Sequence, residues 1–110
     1  MSEIVATTTL DCVNSLGEHQ QVIVEIGRPY RAPEGEWACP VAMRGLHNRL
    51  PDVRGEDSLQ ALCLAASLVR TLLTGFVEDG GKIFFLNSDS EYDLDATFSN
   101  VGSGSSEGPA

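Results

Sequence analysis

The sequence predicts an α+β fold: an antiparallel sheet of three or four strands, an N-terminal hairpin plus a third strand, packed against one long helix. Three observations lead there: two segments alternate apolar and polar residues about a turn, a third alternates around a proline, and one later run has helical spacing with clear ends.

Ile4, Ala6, Thr8, Leu10 and Cys12 alternate with Thr7, Thr9 and Asp11, and Val22, Val24 and Ile26 alternate with Gln21, Ile23 and Glu25. A period of two belongs to half-buried strands. Asn14-Ser15-Leu16-Gly17-Glu18 between them has the turn chemistry and length of an antiparallel connection, so the pair is expected to form a hairpin. Arg28-Pro29 to Gly35 reads as a loop, after which Trp37, Cys39, Val41 and Met43 mark a third strand. Pro40 donates no ladder hydrogen bond, which places that strand at an edge or puts a bulge in it. Arg49 to Arg54 can add a short fourth strand, with Gly55 and Glu56 leading into the helix.

The helix is expected from Asp57 to Gly75. At about 100° per residue, Leu59, Leu62, Cys63, Ala66, Val69, Leu73 and Phe76 share a face suited to a sheet. Asp57 and Gln60 have the spacing of a capping box, Gly75 offers a left-handed stop, and Arg70 suits the negative end of the helix dipole. Polarity is confined to Gln60, Ser67, Arg70, Thr71 and Thr74, so Ala61, Leu64 and Leu68 form a second apolar flank. A helix apolar on so much of its circumference is buried on more than one side. The expected cover is the chain's own C-terminal segment or a second copy of the protein. Lys82 to Leu86 is the candidate, either as a short buried strand or laid over the helix. Gly102 to Ala110 has nothing to bury, so residues 1–101 are expected to form one domain and 102–110 a disordered tail.

Composition limits the classes of function. A chain of 110 residues, 42% of them hydrophobic, supports one modest core. Its 16 acidic against 7 basic side chains give a net charge of -9, which disfavours nucleic acid and anionic membrane surfaces as partners. With no N-terminal basic-then-apolar signal and no uninterrupted apolar stretch near the ~20 residues of a membrane span, the expected location is the cytoplasm. Cys12, Cys39 and Cys63 lack metal-type spacing and are expected as small core hydrophobes.

The charge is uneven. Arg28, Arg31, Arg44, Arg49 and Arg54 face only Glu34, Glu36 and Asp52 in their stretch, whereas Lys82 stands alone after Phe76 against seven carboxylates. Such charges either solvate the surface, with exposed pairs contributing about 0 to 1 kcal/mol, or form a docking surface. Arginine suits two-pronged recognition of carboxylates, so Arg44, Arg49 and Arg54 are candidates to meet an acidic partner. Trp37 is either a core residue or a surface anchor.

No catalytic or cofactor motif emerges. Asn87, Asp89, Glu91, Asp93 and Asp95 alternate like calcium-loop ligands, but Tyr92 stands where the turn needs glycine and Phe98 where it needs glutamate. A solvated acidic loop is the better reading. His19 and His47 are too few for zinc, and Cys39 with His47 as a nucleophile and base competes with Cys39 as a core residue.

The hairpin end Val24-Glu25-Ile26-Gly27-Arg28-Pro29, then Trp37-Ala38-Cys39-Pro40, Gly45-Leu46 and Gly55-Glu56-Asp57-Ser58-Leu59-Gln60-Ala61-Leu62 resemble a family of short acidic bacterial proteins classed as a domain of unknown function. That resemblance implies a sheet with one long helix and carries no catalytic residues over. The helix opening is also similar to that of HicB-type antitoxin domains, over that segment only. The expected function is therefore a non-enzymatic protein-interaction module, with a homodimer through Ala61, Leu64 and Leu68 as one form. The alternatives are an immunity or antitoxin protein masking a basic toxin, and a small enzyme using Cys39 or a carboxylate.

Overall fold

Turn chemistry builds the first hairpin as the sequence predicts. In a computed structural model describing residues 3–98, Asn14 closes the turn: its backbone exchanges bonds with Glu18 and Gly17, and its Oδ1 accepts from the Leu16 and Glu18 N–H groups. Gly17 holds the left-handed φ of 84° that the connection requires. The flanking strands β1 (Ile4–Val13) and β2 (His19–Gly27) pair antiparallel, with Thr8 opposite Val24 and Leu10 opposite Val22. Leu10, Cys12, Val22, Val24 and Ile26 are thereby placed in the core.

Pro40 resolves the ambiguity of the third strand by dividing it. β3 (Tyr30–Arg31) pairs with β4 (Trp37–Cys39), β4 pairs with β6 (Val53–Gly55), and these form a small three-stranded sheet. Beyond Pro40, β5 (Val41–Arg44) joins β2 instead, at the edge of a four-stranded sheet ordered β5-β2-β1-β7. Pro40 still contributes to the ladder as an acceptor, its carbonyl taking the Gly27 N–H at 2.8 Å. The expected loop from Arg28 to Gly35 thus contains β3, a strand too short to show a period.

α1 (Ser58–Glu78) spans both sheets. Its start follows the capping logic: the Asp57 carboxylate accepts the Gln60 N–H at 2.7 Å, and the Gln60 amide oxygen accepts the Glu56 N–H at 2.6 Å. Its stop does not. The helix passes Gly75 and ends in a Schellman motif, with Gly81 N–H on the Phe76 carbonyl, Gly80 N–H on the Val77 carbonyl and Gly80 at φ 97°. Gly75 has helical neighbours on both sides and open space where a side chain would be.

The buried stripe of α1 is Ala61, Ala65, Val69 and Leu73, spaced every four residues. Leu62, Ala66, Leu68, Leu72 and Phe76 flank it, partly buried. Relative to the expected sheet face, the helix is rotated: Val69 and Leu73 are central, whereas Leu59 is 68% exposed and Cys63 is exposed. Ala61, expected on the second flank, is fully buried in the core. Two small residues in the first turns allow closer approach to the sheets than the leucines would. Of that flank only Leu64 stays substantially open, at 44%. α1 is also long and apolar enough, by length and composition alone, to cross a membrane; here its buried stripe packs on the two sheets.

The segment after the helix folds back. β7 (Lys82–Phe85) pairs antiparallel with β1, places Ile83 in the core and accepts one further rung from Glu91. The supposed solvated loop then alternates: Asp89, Glu91, Asp93 and Asp95 face solvent, while Tyr92 and Leu94 turn inward. α2 (Leu94–Phe98), capped by Asp93 through its bond from the Ala96 N–H, packs on α1 with Phe98. Arg70 reaches Asp95 at 3.6 Å, so α2 covers the side of α1 away from Leu64 and Leu68. The expected tail, 102–110, lies outside the described residues.

Two pairs of substitutions test this packing by chemical denaturation. Leu73→Ala should cost about 2 to 5 kcal/mol, and Leu59→Ala less than about 0.5 kcal/mol; equal losses would refute the rotated face. Gly75→Ala should stabilise by about 0.5 to 1 kcal/mol, and Gly80→Ala should destabilise by about 1 kcal/mol because of its left-handed backbone.

Candidate functional site

The most distinctive surface is a consequence of Pro29 and Pro40. Pro29 ends β2's pairing and Pro40 ends β4's, and between them a tight turn folds β3 back on β4. Ala32 and Glu36 are joined through the Ala32 N–H at 2.7 Å, and Gly35 donates to Ala32 at 2.9 Å. This register sets Arg31 opposite Trp37 and Tyr30 opposite Ala38. The result is a shallow groove of about 560 Å³ lined by Arg28, Tyr30, Arg31 and Trp37, with Pro29, Pro40, Glu3 and Asp52 completing it.

Its polar groups are held by local bonds. Arg31 donates Nε–H to the Gly35 carbonyl at 3.0 Å, which ties its guanidinium to the turn. Arg28 contacts Glu3 at 3.3 Å in an exposed pair. The Tyr30 hydroxyl donates to Asp52 Oδ2, and this bond, with the carboxylate's charge, raises the pKa of Tyr30 above the usual phenol value. Trp37 is half-buried, one part against the core and another in the groove. It serves both of the roles the sequence left open.

The other arginines expected to form a docking surface do not meet. Arg44 lies at the edge of the four-stranded sheet and donates to Glu25 at 2.9 Å. Arg54, on β6, is shared between Glu34 at 3.4 Å and Glu36 at 3.5 Å. Glu34 is accordingly more acidic than usual, first through its own backbone N–H and then through Arg54. Arg49 is exposed in the loop before β6 and has no ion pair among the described residues. Sequence reasoning had placed Arg28 and Arg31 in the same basic stretch. What it lacked was the two-residue strand that brings them beside Trp37.

A second groove, of about 500 Å³, runs between α1 and the returning segment. Val77, Tyr92 and Leu94 line it together with Glu78, Glu91, Asp93 and Asp95, against Arg70 as its cation. Among the described residues, no three His, Cys, Asp or Glu side chains are grouped to hold a metal ion.

The cysteines fall into two environments. Cys39 is fully buried and donates Sγ–H to the Gly27 carbonyl at 3.3 Å; burial, aided by the charge of Asp52, raises its thiol pKa. Burial, with Asp11, pushes the Cys12 thiol up to about 11. A sealed thiol held protonated is a poor nucleophile at neutral pH. Cys63, expected in the core, is instead exposed on α1.

Two sheets sharing one helix, with grooves on the surface, define a small α+β domain. The chain belongs to a family described as a domain of unknown function (DUF6968), whose profile matches residues 6–96, from β1 into α2. No curated protein and no solved structure matches it significantly.

The thiol placement has a direct readout. At pH 8 an aromatic disulfide reagent should label Cys63 quickly and Cys12 and Cys39 only after denaturation, and Cys63→Ser should remove the fast phase; two fast thiols in the native protein would contradict the burial.

Proposed function

We propose that this protein is a cytoplasmic, non-enzymatic interaction module that docks an extended acidic segment of another protein in the groove of Arg28, Tyr30, Arg31 and Trp37. The observation that carries this reading is the convergence in one groove of the three residue types that dominate interface hot spots, tryptophan, tyrosine and arginine. Magnitudes assign their roles. Two exposed arginine–carboxylate pairs contribute about 0 to 2 kcal/mol together, whereas covering about 100 Å² of apolar ring surface contributes about 2.5 kcal/mol. Trp37 and Tyr30 therefore anchor the ligand, and the arginines select its charge. Because the whole chain carries -9, an acidic ligand gains no long-range steering, and its selection acts at contact.

A second reading has its own observation. The four carboxylates around Val77, Tyr92 and Leu94 suit a basic, apolar segment, as an immunity or antitoxin protein would present to a basic toxin.

Trp37 is the chain's single tryptophan, so its fluorescence reports on the first groove alone. Titration with a glutamate- and leucine-rich peptide should shift its emission saturably, and Arg28→Glu with Arg31→Glu should weaken binding at least tenfold. No shift at millimolar peptide would sink the proposal. A lysine-rich peptide that binds without disturbing Trp37 and loses affinity in Glu91→Gln with Asp95→Asn would select the second reading.

A further inference from the structure

β1 has 10 residues, and β7 beside it has only 4. β7 pairs with β1 only from Leu10 to Val13, so on that side the stretch from Ile4 to Thr9 has no strand partner among the described residues. Ile4, Val5, Ala6 and Thr7 are all exposed, although successive residues point to opposite faces, so neither face of this stretch is covered. Natural edges are guarded by charge, proline or bulges. This one has a bulge at Val5, where the register with β2 shifts, but no charged residue and no proline between Ile4 and Thr9. Its three consecutive threonines and its β-branched start favour extended backbone.

The apolar surface around this edge is arranged at its two ends. Ile4 and Val5 are exposed at one end; Phe85, opposite Leu10, and Leu86 are exposed at the other. We infer that the edge from Ile4 to Thr9 pairs with the same edge of a second copy, antiparallel about a two-fold axis, joining the two four-stranded sheets into one. Antiparallel pairing brings Ile4 and Val5 of each copy to the Phe85 and Leu86 end of the other, so the exposed apolar groups cover one another. Such self-complementarity is what a two-fold interface requires. Charge selects the same direction. Glu3 precedes the neutral stretch, and antiparallel pairing holds the two Glu3 carboxylates at opposite ends of an edge about 20 Å long, beyond the screening length of about 8 Å. Parallel pairing would set them side by side. The contact is small for a protein interface, so the dimer is a weak one that forms at high micromolar concentration.

This edge meets the groove of Trp37 only through Glu3, and its test is independent of peptide binding. Sedimentation velocity over a concentration series into the high micromolar range should show a reversible monomer–dimer equilibrium. Val5→Lys and Leu86→Lys, at opposite ends of the edge, should each weaken it at least tenfold while far-UV circular dichroism stays unchanged; Leu64→Lys on the helix should not. In a Cys63→Ser background, Ala6→Cys should form a disulfide-linked dimer and Leu16→Cys, on the hairpin turn, should not. A monomer throughout, a dimer that survives Val5→Lys, or cross-linking equal at the two cysteine positions overturns the inference.

Discussion

Gly55 and Ala61 meet backbone to backbone where the last strand of the small sheet reaches the first turn of the helix. A Cβ on Gly55 would lie 2.6 Å from the Ala61 nitrogen and 2.9 Å from its Cα, closer than real side chains approach. With hydrogen there, and only a methyl on Ala61 and on Ala65 one turn later, α1 settles against both sheets at once. The wider Val69 and Leu73 then join Leu10, Met43 and Ile83 in the buried core. The helix direction, the burial of β7's Ile83 and the side left for α2 all follow from that seating.

Pro40 is the complementary constraint at the level of topology. A proline in mid-strand forfeits one donor, and here the cost is avoided by changing sheets at that residue, its carbonyl still used by Gly27. The small sheet that results is the platform of the Arg–aromatic groove, since β4 carries Trp37 and holds β3 beside it. Stability and recognition are coupled through this element. Trp37 packs on the core from the strand whose edge partner presents Tyr30 and Arg31.

The surface divides by charge in a way that makes the two grooves chemically distinct. Four of the six arginines are spent on neighbours: Arg28 on Glu3, Arg44 on Glu25, Arg54 on Glu34 and Glu36, Arg70 on Asp95. Arg31 differs because its anchor is a backbone carbonyl, which orients the guanidinium without neutralising it. The acidic residues after the helix behave the other way. Their alternation with Tyr92 and Leu94 lets one short segment close the core and keep its carboxylates in water.

What the sequence determined by itself was local. The hairpin and its Asn14-to-Glu18 turn, the Asp57 and Gln60 cap, the alternation of β1 and β2 and the presence of one long helix are encoded by residues within a few positions of one another, where hydrogen-bond geometry and backbone sterics leave little choice. The C-terminal limit of α1 was legible too, in Gly80 and Gly81, but Gly75 offered the same chemistry earlier, and only the bonds to Phe76 and Val77 distinguish them. Tertiary structure decided which apolar residues of α1 face inward. Periodicity marks Ala61, Cys63, Leu64 and Leu73 as equally apolar; selection among them depends on the size of the partner surface, and that surface comes from Gly55 and from strands far away in the chain. The same holds for the candidate groove. Arg28, Tyr30, Arg31 and Trp37 are visible in the sequence as separate residues, and they become one site only because two prolines turn a two-residue strand against its neighbour.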